Sequence, residues 1–90
     1  MSTQGTTTVN FGSAATDTSV FVSAPSITGS QLVEAWIFPA ATASNTSDNH
    51  WVDDLHVIAG NVQAGSGFTI YASCKTGLAH GVFNVGYVFN

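Results

Sequence analysis

The chain is nearly without positive charge. Lys75 is its only basic residue, and five acids leave a formal net charge of −4. Recognition of a nucleic-acid backbone needs several cationic side chains to neutralise phosphates. One lysine argues against nucleic acid as a partner, and against an anionic membrane surface for the same reason. Cysteine is almost missing as well. Cys74 stands alone, so no disulfide can close within the chain and no Cys-based metal motif can be written. No apolar run approaches the roughly 20 residues of a membrane span. The segment MSTQGTTTVNFG has neither the basic region nor the apolar stretch of a signal peptide. The expectation is a soluble protein made in a cytoplasm, an origin that a free thiol fits.

Charge of either sign is scarce. The acids are Asp17, Glu34, Asp48, Asp53 and Asp54, and charged residues make up 7% of the chain against about a quarter in an average domain. Polarity comes instead from Ser, Thr, Asn and Gly. An uncharged polar surface suits contact with other protein surfaces, because burying a lone charge is costly and interface cores are depleted in charge. Ninety residues make one domain with a small core, and chains of this size often need support from disulfides, metals or oligomerisation. With the first ruled out within the chain and no Cys-based motif for the second, oligomerisation is the support expected here.

Read in order, Met1 to Thr7 forms a polar arm, about residues 1–7 of a single domain spanning 1–90. Val9 and Phe11 begin the first strand. Thr18 to Ala24 (TSVFVSA) is a second strand, rich in β-branched residues, ended by Pro25. Gln31 to Phe38 mixes helix and strand formers, but eight residues between Gly29 and Pro39 are short for a helix, so the pattern predicts a strand. Leu32, Glu34, Trp36 and Phe38 then share one face, and Val33, Ala35 and Ile37 the other. Both faces are mostly apolar, as for a strand covered on two sides. Glu34 sits at the rim, solvated, or is paired with Lys75 or a histidine.

Pro39 to Asn49 is a loop of small polar residues, long for so small a domain, and such loops often serve function or dock on a neighbour. His50 to Ala59 alternates as a strand: Trp51, Asp53, Leu55 and Val57 on one face, His50, Val52, Asp54, His56 and Ile58 on the other. Gly60 to Gly67 is a glycine turn, and Phe68 to Cys74 a strand with Phe68, Ile70, Ala72 and Cys74 toward the core. Lys75-Thr76-Gly77 is a tight turn. Gly81 to Asn90 is the last strand, with Phe83, Val85, Tyr87 and Phe89 on one face. Gly86 within it marks a bulge or a close approach of another backbone. There is no internal repeat. About six short strands with Gly, Pro and Ser turns predict an all-β fold, a small antiparallel β-sandwich or barrel.

The residues that carry chemistry do not form a recognised site. Asp54 and His56 share a strand face, with His50 on the same side if the strand reaches it, and such side chains can bind transition metals. Their spacing matches no known metal motif, and the calcium-loop pattern is absent. Asp53 and Asp54 are adjacent, so in a strand they point apart and cannot act as a carboxylate pair. There is no GxSxG elbow, and the glycines of GNVQAGSG lack the lysine and the following helix of a phosphate loop. Trp36, Trp51, Tyr71 and Tyr87 are the aromatics able to stack on a sugar ring, and Trp51 follows the long loop. No catalytic residue, cofactor site or metal site is assigned. His50, Trp51, Asp54 and His56 form the candidate subunit or ligand contact.

The stretch from about Trp36 to Phe89 resembles short β-sandwich proteins encoded among the structural genes of tailed bacteriophages. The similarity lies in TASNTSDNH, in LHVIAGNVQAGSGFTIYA and in the closing strand GVFNVGYVF. The layout is also similar to that of the H-type lectins, six-stranded sandwiches that form trimers or hexamers and bind N-acetylgalactosamine-like sugars. The shared features there are Val9–Phe11, Gly67-Phe68 and the aromatic last strand. The lectin sugar-binding residues do not map onto this chain one by one. The phage resemblance implies a virion component without enzymatic activity, such as a capsid decoration or cement protein or a part of the tail or its fibres, assembled in the host cytoplasm. Its partners would be copies of itself, a trimer first of all, and other virion proteins. The second expectation is a receptor- or glycan-binding module of a tail fibre, with a host-surface glycan as partner.

Overall fold

The last two strands show how the sequence pattern becomes structure. In β5 (Gly67–Cys74) and β6 (Val82–Phe89) alternate residues turn inward, and Phe68, Ile70, Ala72, Phe83, Val85 and Phe89 are all buried. Each is the central strand of its own sheet. The computed structural model describes residues 3–75 and 77–90. It contains, besides these two, β1 (Thr3–Asn10), β2 (Asp17–Ser23), β3 (Val33–Ile37), a short helix α1 (Ser47–Val52) and β4 (Leu55–Gln63). One sheet runs β1-β6-β3 and the other β2-β5-β4, with every neighbour antiparallel.

The two sheets share one core. Val9, Phe11, Ala35, Phe83, Val85 and Phe89 come from the first sheet and its flanks, and Val22, Phe68, Ile70 and Ala72 from the second. Edge-on aromatic contacts hold the core: Phe68 meets Tyr87 at 5.4 Å and Phe89 at 5.8 Å across the layers, and Phe11 meets Phe83 at 5.6 Å within the first, between ring centroids. Each such pair adds about 0.5–1.5 kcal/mol beyond its buried area. The small antiparallel all-β fold is therefore as the pattern predicts.

Four details differ from the sequence reading. First, of the segment read as an arm, Thr3 to Thr7 form the first part of β1, and Met1 and Ser2 lie outside the described residues. Thr3 to Asn10 pairs with β6 along its whole length, from Thr3 opposite Phe89 to Asn10 opposite Val82. Tyr87 explains Gly5 within it, since a Cβ there would lie 2.6 Å from the Tyr87 hydroxyl. Second, β4 runs on through a bulge to Gln63, and the glycine turn shrinks to Ala64–Ser66. Third, β3 is covered on one side only. Ala35 is buried, while Leu32, Trp36 and Phe38 face solvent and Glu34 is exposed between them. Fourth, the stretch from Ser47 to Val52 is helical, so the strand faces assigned from His50 to Asp54 do not exist. Of the Lys75–Gly77 turn, Thr76 lies outside the described residues.

Candidate functional site

The helix is short but properly started. The side chain of Thr46 accepts a hydrogen bond from the Asn49 N–H at 3.2 Å, the usual N-cap arrangement, and Asp48 lies in the first turn, where negative charge is favoured. It stops at Asp53, and Asp54 follows with φ 53°, a left-handed conformation that turns the chain into β4. Helix and turn together scatter the residues that a continuous strand would have aligned.

His50 goes to the interior, with 0% exposure. Nδ1 lies 2.7 Å from the Thr46 carbonyl oxygen, and Nε2 accepts from the Asn84 N–H at 2.9 Å. The two bonds define one neutral tautomer, with the proton on Nδ1. The ring also stands edge-on to Phe83 at 5.1 Å. With both nitrogens engaged inside the protomer, His50 is a fold residue and has no atom to offer at the surface. Trp51 is 69% exposed on the helix. Asp54 is exposed in the turn, and its carbonyl accepts from the Lys75 N–H at 3.2 Å. His56 is exposed on the outer face of β4. The structure does not bring the four together. Among the described residues no three His, Cys, Asp or Glu side chains gather in a way that could hold a metal ion.

The long polar loop carries the bonding that β3 leaves unfinished. β3 ends at Ile37, and its ladder closes with the Phe38 N–H donating to Asn84 O at 3.0 Å. Beyond that point side chains replace the strand. Thr42 Oγ1 donates to Val82 O at 2.8 Å, Asn45 Nδ2 donates to His80 O at 2.9 Å and to Val82 O at 3.1 Å, and the Val82 N–H donates to Ser44 Oγ at 2.8 Å. Asn84 Nδ2 donates to Ala40 O at 2.7 Å. Buried backbone groups must find partners, and here the loop supplies them. Gly81, at φ +76°, leaves room for Ser44 to do so. Docking is thus on the chain's own β6.

Surface chemistry sits on the outer faces of the two sheets. On the second sheet, Asp17, Ser73 and His56 form one cross-strand row, and Ser19, Tyr71 and Ile58 the next. They line a shallow groove of about 550 Å³, with Tyr71 and Ile58 well exposed. On the first sheet the exposed row is Leu32, Trp36 and Phe38. Compared with family models, curated proteins and solved structures, the chain matches none. Its function therefore rests on its own geometry. The groove offers a carboxylate, hydroxyls, an imidazole and an aromatic face, which is the equipment for holding a polar ligand by stacking and hydrogen bonds. Of its lining, sequence reasoning had singled out only His56 and Tyr71. Alternation alone puts Ile58 beside His56 and Ser73 beside Tyr71; Asp17 and Ser19 join them, and the two pairs meet, through strand register, which no local pattern encodes.

Proposed function

We propose that the chain is a structural subunit of a tailed-bacteriophage virion. It stabilises the capsid or tail by non-covalent contacts with copies of itself and with other virion proteins, and it performs no catalysis. The observation that carries this reading is the outer face of β3. Leu32 is 79% exposed, and Trp36 and Phe38 are each 43% exposed; all three lie on the outward side of β3 and its flanks, with Trp36 and Phe38 lining one groove and Glu34 between them and Leu32. Single exposed apolar side chains are ordinary, whereas a contiguous group marks a contact surface. Burial of each such side chain is worth roughly 1.5–3 kcal/mol. The scarcity of charge and the sequence resemblance point the same way, and a homotrimer remains the assembly expected from that resemblance. The test is mass spectrometry and side-chain-resolution electron microscopy of particles from a phage encoding the chain. The expected result is many copies per particle, with incorporation lost in Leu32→Ser and Phe38→Ser variants that still fold. A chain absent from purified particles, or incorporated regardless of these substitutions, would sink the proposal.

A second reading, a glycan-binding module of a tail fibre, is favoured by the groove around Tyr71. Binding on a glycan array that is lost in Tyr71→Ala and kept in Leu32→Ser would replace the first reading with this one.

A further inference from the structure

Each sheet ends in two edge strands, and three of the four carry a feature that discourages pairing with another chain. β2 begins on Asp17, β3 is five residues long and carries Glu34, and β4 is broken by the bulge between Gly60 and Gln63. Charge, shortness and bulges are the usual protection of sheet edges. β1 has none of them. Its sequence TQGTTTVN contains no charge and no proline, and it pairs with β6 in unbroken register over eight residues.

The open side of β1 can be read from its hydrogen-bond parity. The Phe11 N–H donates to Gly81 O at 2.9 Å, continuing the register of the β1–β6 ladder. Peptide groups alternate sides along a strand, so those of Gln4, Thr6 and Thr8 face away from β6. Asn10 lies on that side too, and its carbonyl already accepts from Thr18 Oγ1 at 3.0 Å. The side chains of Gln4, Thr6 and Thr8 are exposed.

We propose that β1 pairs antiparallel with β1 of a second copy, about a two-fold axis at Thr6, joining two β1-β6-β3 sheets into one. In that register Thr6 faces its own mate, and Gln4 faces Thr8 of the second copy. Every outward N–H and C=O of these three residues then has a partner, and Thr6 meets Thr6, a favourable cross-strand pairing. The occupant is argued from charge. A two-fold axis sets a strand against itself, so any charge on it meets its own kind. In a chain of net charge −4, the long edge free of charge is the one that tolerates its copy. The contact is compatible with a three-fold interface elsewhere on the molecule. It rests on the assembly reading only in requiring a second copy, and it is tested on purified protein with no phage particle, so the two can fail separately.

The experiment is sedimentation velocity on the full chain at micromolar concentration, with Thr6→Lys as the probe and Leu78→Ser, at an exposed position outside both proposed contacts, as the control. The expected result is a particle whose mass halves in Thr6→Lys and holds in Leu78→Ser. Should Thr6→Lys not fold, cysteine pairing decides. In a Cys74→Ser background, oxidised Thr6→Cys should give a cross-linked two-chain species. The two Cα atoms would lie about 5.5 Å apart, within disulfide range, whereas Thr8→Cys, facing Gln4, should not cross-link. A wild-type monomer, an unchanged mass in Thr6→Lys, or equal cross-linking at both positions would overturn the proposal.

Discussion

Trp36 lies over Gly86. The two are cross-strand partners on the outer face of the first sheet, and a Cβ on Gly86 would come within 2.6 Å of the indole Nε1. The glycine marks neither a bulge nor a close approach of another backbone: it is the floor on which the tryptophan side chain rests, and Gly86 is buried for that reason. Tyr87 and Gly5 repeat the arrangement on the inner face. An aromatic ring laid over a cross-strand glycine restores the packing the glycine lacks.

Gly86→Ala should therefore cost about 1–2 kcal/mol by overpacking and push the indole into solvent. Urea denaturation gives the first quantity, and acrylamide quenching in a Trp51→Phe background the second. Gly60→Ala is the control. Nothing lies within 4 Å of a Cβ there, so its change should stay within about 0.5 kcal/mol, as for ordinary surface substitutions. Equal costs at the two sites would refute the packing account.

Gly67 presents a harder obstacle. Its φ is +153°, and an added Cβ would run into the Val22 carbonyl oxygen, which is backbone and cannot swing aside. Gly67→Ala should cost at least about 3 kcal/mol, in the range kept for strained backbone and core clashes. A thermal midpoint close to wild type would show that the strand junction yields to a side chain at this position.

His50→Phe separates the ring of His50 from its nitrogens. Phenylalanine keeps the contact with Phe83 but leaves the Asn84 N–H without its partner, while the Thr46 carbonyl, the N-cap acceptor of the first helical bond, loses only its second one. An unsatisfied buried group costs about 1–3 kcal/mol, so a loss in that range is expected. A loss under about 0.5 kcal/mol in equilibrium unfolding would mean that water or a rearranged loop takes over the bond to the Asn84 N–H.

Asn45→Asp tests the loop as a substitute strand. Asn45 is 3% exposed and its Nδ2 is a donor to two carbonyls. A carboxylate cannot donate and would be repelled by both, so Asn45→Asp should be worse than Asn45→Ala, itself down by about 2 kcal/mol. Faster amide exchange at Val82 should accompany both. The reverse order of stabilities would remove the donor role.

Much of this molecule was legible locally. The faces of β5 and β6 follow from alternation alone, because side chains in a strand repeat every two residues and the core accepts only one set. Phe68 and Phe83 could be placed inside without knowing any partner. The helix was locally signalled too, by Thr46 ahead of Asp48 and Asn49, but His50–Ala59 also alternates, and one turn of capped helix is a weak signal beside a strand pattern. What only the tertiary structure decided is where chains of bonds end. β3 stops before β6 does, and that leaves the Asn84 N–H and the Val82 peptide unpaired. The desolvation cost of those groups draws His50, Thr42 and Asn45 inward, away from the surface role their polarity suggested. Likewise the sequence by itself determined that both faces of Gln31–Phe38 are apolar. Only the packing of two three-stranded sheets decided that one of them, with Leu32, Trp36 and Phe38, has no cover within the protomer, because a two-layer fold has a single interior.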